Sequence, residues 1–202
     1  LESAAFVEQD LLRLIDIALA RIPDDCRTAR SVKLARSCHQ EGIDWRTARN
    51  RLVEESADLG WFQAPANVGF VVLGLLYGQG DFGKSLCIAV NCGDDTDCTG
   101  ATCGAILGII LGRSGIPQKW IEPIGESIRT VAIAPFHADA PATLDELTDR
   151  VMACIPRFLP KTNLDMTDEN ERYAVLCADE FFADNDERLP HSDRDPGRRQ
   201  FT

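Results

Sequence analysis

Asp94-Asp95-Thr96-Asp97 runs directly into the longest apolar stretch of the chain, Ala101 to Gly112, and this junction constrains the fold more than any other feature. Three carboxylates within four residues repel one another unless water, a cation or a helix start relieves them. A helix start does so in part, because the helix dipole favours negative charge at its N-terminus. The spacing therefore predicts a helix that opens at these carboxylates and continues to about Gly112. Within it Gly100, Gly104, Gly108 and Gly112 fall four residues apart and form one slowly drifting ridge. Glycine inside a helix costs about 1 kcal/mol against alanine. The ridge is thus expected where another backbone packs close, making this the central helix of an α domain. At about 12 residues the apolar stretch is short of the roughly 18–20 needed to cross a bilayer.

The rest of the pattern is also helical. Ser3 to Arg21 carries an apolar stripe ending at Ile22-Pro23, and Ser31 to Gln40 is a weaker helix ending at Gly42. Asp44 is placed to cap a helix through Trp45 and Leu52 to about Leu59-Gly60. Ala66 to Tyr77 is apolar nearly all round, as a buried helix or a buried strand would be. Asp81 is placed to cap Phe82 to Asn91, and Thr143-Leu-Asp-Glu146 forms a capping box before a helix that Pro156 and Pro160 end. The expected fold class is all-α, a multi-helix orthogonal bundle. The alternative is α/β, with Val68 to Leu76 and Leu86 to Val90 as strands. Beyond Pro160 the composition turns acidic, with one candidate helix at Glu171 to Phe182 and an extended tail from Leu189. This divides the chain into a helical domain, 1–160, and an acidic C-terminal extension, 161–202.

Charge and cysteine usage exclude several functions. Among 202 residues, 32 Asp and Glu outweigh 21 Lys and Arg, for a net charge of −11. So acidic a chain is not built to neutralise nucleic-acid phosphates or to lie on anionic lipid. The first 20 residues carry Glu2, Glu8, Asp10, Arg13 and Asp16, which is neither a signal peptide nor a membrane span. The eight cysteines, at 26, 38, 87, 92, 98, 103, 154 and 177, contain no C-x-x-C pair. They read as buried reduced thiols, and the expected location is the cytoplasm. Gly78-Gln-Gly-Asp-Phe-Gly83 matches a phosphate-binding glycine pattern, yet no second strand follows it. It reads as a tight turn between two packed helices.

The carboxylate cluster is the sharpest candidate site. In a regular helix Asp95 and Asp97 would diverge by about 200°. At an N-cap the first residue is not yet helical, so the two carboxylates are able to converge. Oxygen ligands without a nearby histidine suit Mg²⁺, Mn²⁺ or Ca²⁺. The competing reading is a helix N-cap and nothing more.

Gly93-Asp94-Asp95-Thr96-Asp97-Cys98, followed by Gly104-Ala-Ile-Leu-Gly108 and Pro117-x-x-Trp120, resembles the second metal motif of the ADP-ribosylglycohydrolase family. Leu75-Leu-Tyr77-Gly78 and Leu19-Ala-Arg-Ile-Pro23 are similar to its bacterial members. The resemblance covers roughly residues 1–160. It implies an all-α hydrolase with two divalent ions, usually Mg²⁺ with Mn²⁺ as a substitute. The family acts on ADP-ribosylated proteins or small ADP-ribose conjugates. It implies Asp95 and Asp97 as metal ligands, and Cys98 where many members place a Thr or Ser oxygen. Gly93, Asp94 and Thr96 would support those ligands, and Tyr77 is a candidate for stacking on adenine.

The resemblance also implies an N-terminal Thr-Asp-Asp motif and an acid/base carboxylate, which Glu8/Asp10, Asp24-Asp25 and Glu54-Glu55 do not reproduce. The chain accordingly reads as the C-terminal part of a family member. The implied catalytic acid/base then lies in a missing N-terminal half, and self-association or pairing with that segment is expected. Two functions follow: a metal-dependent hydrolase releasing ADP-ribose, or a catalytically inactive ADP-ribose-binding or structural relative of the same fold.

Overall fold

The computed structural model describes residues 1–129 and 140–158. These hold nine α-helices and no strand, so the all-α expectation stands and the α/β alternative falls. The chain divides into two compact units, residues 1–140 and 141–202. No helix among the described residues is long and apolar enough to cross a membrane. The expected domain boundary at residue 160, the candidate helix at Glu171 to Phe182 and the C-terminal tail lie outside the described residues.

In the first unit the elements are α1 (Glu2–Ala5), α2 (Leu11–Leu19), α3 (Arg27–Gln40), α4 (Trp45–Glu55), a 3-10 turn (Ala57–Leu59), α5 (Ala64–Gly78), α6 (Phe82–Asn91), α7 (Thr96–Gly115) and α8 (Gln118–Ile121). The single N-terminal stripe is two helices. Asp10 breaks it, because its carboxylate accepts the backbone N–H groups of Leu12 and Arg13 and starts α2 afresh. Asp44 and Asp81 cap α4 and α6 in the same way. Helix α3 starts earlier than its apolar pattern, at a Cys26 sulfur that accepts the Ala29 N–H.

The core helix is α5 and not α7. Eleven of the 15 residues of α5 are buried, against four of the 20 in α7. Helix α5 separates two apolar clusters. Phe70, Leu73 and Leu76 face Ile15, Val32, Ala35 and Leu52, while Val71 and Leu75 face Leu14, Ala89, Cys103 and Ile106. A helix buried on both sides has to be apolar all round, which explains its sequence.

The close backbone approach expected along α7 occurs instead between α5 and α6. A Cβ added to Gly78 would lie 2.6 Å from the Ser85 Cα, and one on Gly74 would lie 2.8 Å from the Ser85 carbonyl oxygen. Along α7 the nearest atoms to Gly104 and Gly108 are side-chain methyls 3.8 Å away. Gly112 has φ 63° and marks a kink in α7. Gly78 to Gly83 is the turn between α5 and α6. Its last glycine makes room for the Trp120 ring, which packs edge-on to Phe82 at 6.1 Å.

In the second unit α9 (Leu144–Phe158) opens as expected, with Thr143 Oγ1 accepting the Glu146 N–H. The Glu146 carboxylate reaches back to the Ala142 N–H rather than to that of Thr143. The helix runs through Pro156 to Phe158. A proline near a helix end forfeits one backbone bond, so Pro156 does not stop it.

Candidate metal centre

Helix α6 ends at Asn91, and four residues, Cys92 to Asp95, turn the chain into α7. The turn uses left-handed backbone twice in succession, at Gly93 (φ 82°) and Asp94 (φ 60°). Glycine tolerates that region freely, whereas an aspartate there needs hydrogen bonds to hold it. Asp94 has them. Its Oδ1 accepts the Phe62 N–H at 3.1 Å, and its Oδ2 accepts the Asn67 amide at 2.7 Å.

Asn67 sits in the first turns of α5 and is buried. Its Nδ2 also donates to the Gln63 carbonyl at 3.0 Å, and its Oδ1 accepts the Asp95 N–H at 3.3 Å. From the other side, Arg49 of α4 donates through Nε to the Cys92 carbonyl at 2.8 Å. The turn is therefore held from α4 and α5 at once.

Asp95 is the N-cap residue of α7 by position, yet its side chain makes no capping bond. The carboxylate turns instead toward Asp97 and Cys98. One ligand atom from each of these three residues lies within 4.8 Å of the others, the one such group of three among the described residues. Cys98 and Asp97 are exposed and Asp95 is half-buried. The Cys98 thiol donates to the Asp95 carboxylate, and that bond and charge, with Asp97 beyond, push its pKa up. It is thus a neutral thiol at ordinary pH, which suits hard cations poorly. Two carboxylates fit a hard divalent cation and the thiol does not.

Of the other sequence candidates, Thr96 is half-buried in the first turn and its N–H reaches the Asp94 carbonyl at 3.1 Å. Tyr77 is not brought to the cluster. It lies ten residues beyond Asn67 on α5, about 15 Å along the axis. Its hydroxyl donates to the Ile43 carbonyl at 2.7 Å, His39 packs edge-on against its ring, and burial pushes its pKa up to about 12. Two neighbours of the turn went unassigned in the sequence, Asn67 and Arg49. Asn67 had a signal, since an amide in a run apolar on all sides must find a partner. Arg49 had none, because its partner is a backbone carbonyl 43 residues away.

The pattern that defines the ADP-ribosylglycohydrolase family matches residues 1–156. A 72-residue segment is 31% identical to the ADP-ribosylarginine hydrolase Tri1 of Pseudomonas putida (strain GB-1). That segment is 36% of this chain and 19% of the relative, so the match spans about a fifth of that protein's length. No solved structure matches. With an all-helical fold, the carboxylate turn ahead of α7 and a family match over three-quarters of its length, the chain belongs to the ADP-ribosylglycohydrolase family.

Proposed function

We propose that this chain carries the second metal motif of a metal-dependent hydrolase that removes ADP-ribose from ADP-ribosylated protein or small-molecule conjugates. The observation that carries this reading is the convergence of Asp95 and Asp97 within 4.8 Å, with the Asp95 carboxylate unused as a helix cap. A carboxylate released from capping at a helix start is available to a cation. Family membership and the arginine-linked activity named for the Pseudomonas relative support the substrate class.

In this reading Asp95 and Asp97 hold Mg²⁺, or Mn²⁺ in its place. A bound divalent ion supplies Lewis-acid stabilisation and a template for water and substrate oxygens. Cys98 stays protonated and donates to Asp95, and would not itself serve as a ligand to the ion. Asp94 has both oxygens committed to Phe62 and Asn67 and supports the turn rather than the ion. The general acid/base comes from the part of the family domain that carries the Thr-Asp-Asp motif. The second reading, an ADP-ribose-binding or structural relative without turnover, is favoured by one observation: Cys98 puts a protonated thiol beside Asp95, at the position where the resemblance implies a hydroxyl oxygen.

A thermal melt with Mg²⁺ and ADP-ribose tests the first reading. A ligand at 100 times its Kd stabilises by about 2.7 kcal/mol. The expected result is an upward shift that Asp95→Ala and Asp97→Ala each abolish. An equal shift in those variants would contradict it. ADP-ribose binding without release of ADP-ribose from a modified arginine substrate would favour the second reading.

A further inference from the structure

Three non-glycine residues among those described have left-handed backbone, and two of them, Phe62 (φ 56°) and Asp94 (φ 60°), are joined by one hydrogen bond. Strain of this kind persists where surrounding structure over-determines it, and it clusters at functional sites. The group that over-determines it here is Asn67. It is 8% exposed in a helix otherwise packed with apolar side chains. Its amide spans the Asp94 carboxylate and the Asp95 N–H at once.

We propose that Asn67 is a positioning residue for the cation pair. It acts through Asp94 and through the backbone of Asp95. The inference rests on the reading of Asp95 and Asp97 as cation ligands. Two consequences follow from the geometry. Asp94 has one oxygen on Asn67 and the other on Phe62, so of the three carboxylates in residues 94–97 it is the one withdrawn from a cation. The Asp95 N–H is tied to Asn67, which fixes the backbone at the residue whose carboxylate faces Asp97. Asn67 thus decides which two carboxylates form the pair and fixes the backbone that carries the first of them before a cation arrives.

The test is Mn²⁺ binding, followed by the loss of the free-ion paramagnetic resonance signal, beside amide exchange at Asp95 in the metal-free protein. Asn67→Leu keeps the net charge and removes the bonds to Asp94 and Asp95 together with the one to the Gln63 carbonyl. The double variant Asn67→Asp with Asp94→Asn also keeps the net charge, and it restores the carboxylate–amide pair in the opposite sense. Residues that orient metal ligands typically cost 10–100-fold in affinity when removed. Asn67→Leu is therefore expected to weaken Mn²⁺ by at least about tenfold and to speed Asp95 exchange. The double variant is expected to recover both, a rescue that a general loss of stability would not give. If Asn67→Leu does not fold, Asn67→Ser, whose hydroxyl is too short to bridge both partners, carries the same comparison.

Wild-type Mn²⁺ affinity in the single variant, or a double variant as weak as the single one, would overturn the proposal. Absence of Mn²⁺ binding in the wild type, with the Asp95 amide protected, would overturn the cation reading and the role of Asn67 with it.

Discussion

Helices α5 and α7 look alike in sequence and behave differently in the fold. Helix α5 draws its apolar residues mainly from Leu and Val and α7 from Ile and Leu, both carry spaced glycines, and neither has a strong polar face. Helix α5 packs against α2, α3, α4, α6 and α7, and its Gly74 and Gly78 meet the backbone of α6. Helix α7 buries only Thr99, Cys103, Ile106 and Leu107, a single stripe, and leaves Ala101 and Ala105 exposed. Apolar composition tells that a helix meets other protein, but not how much of its circumference does. The difference also assigns the roles. The helix closed on all sides supplies the brace, through Asn67. The helix with an open side carries the carboxylates.

The two helices should differ most at their glycines. Gly78→Ala forces a Cβ to within 1.9 Å of the Ser85 Oγ and 2.6 Å of its Cα, so α5 and α6 have to separate. Overpacking of this kind costs about 1–3 kcal/mol, and more where backbone is in the way. Gly78→Ala should sit at or beyond the top of that range in urea unfolding. Gly104→Ala, 3.8 Å from its nearest neighbour, should be neutral or gain up to about 1 kcal/mol of helix propensity. Equal effects at the two positions would mean that α5 and α7 are not packed differently.

Side-chain truncation gives the next largest contrast. Leu73 in α5 is fully buried, and Leu73→Ala should cost about 2–5 kcal/mol. Leu111 in α7 is half-buried, and Leu111→Ala should cost about half as much, in proportion to the area it removes from water. Thiol labelling at pH 8 offers a smaller readout without mutation. Burial pushes Cys92 and Cys103 up to about 12, so only about one thiol in ten thousand is ionised there at pH 8. Exposed Cys87 should react first with a disulfide reagent. Cys98 should follow, slowed by the Asp95 carboxylate that holds its proton. Cys103 labelled as fast as Cys87 would show that the α5–α7 contact opens readily.

The smallest effect is at the cap of α4, which backs α5 through Ala48 and Leu52. The side-chain bond from Thr47, then the backbone bonds from Thr47 and Arg46, hold the Asp44 carboxyl below its ordinary 3.8. Its contribution to stability is complete above that ordinary value and is lost as pH falls through the lower folded one. Asp44→Asn caps without a charge, so its melting temperature should fall less than that of the wild type between pH 5 and pH 2. Parallel curves would show that the Asp44 charge does not stabilise the cap of α4.

What the sequence made legible was local. The caps at Asp44, Asp81 and Thr143, the turn at Gly78–Gly83 and the helix opening at the carboxylates all depend on residues within a few positions of one another. The break at Asp10 was equally local, but a continuous apolar stripe masked it. The choice of core helix was not legible, because α5 and α7 carry the same kind of residues and only their neighbours differ. The brace was half legible. Asn67 is conspicuous among apolar residues, yet its partners lie 27 and 28 residues further on. The Asp95–Asp97 convergence needed one non-helical residue at the start of α7, which capping logic allows without choosing which aspartate takes it.

In the reading proposed above, Asp95 and Asp97 form a cation-binding pair of carboxylates at the start of α7 while Asp94 stands aside. Crystals soaked in Mn²⁺ and measured at the manganese absorption edge test it in one experiment. The expected result is an anomalous peak within bonding distance of carboxylate oxygens from both Asp95 and Asp97, with Asp94 still on Asn67 and Phe62. A peak on Asp94, or none at any of the three carboxylates at saturating Mn²⁺, would contradict it.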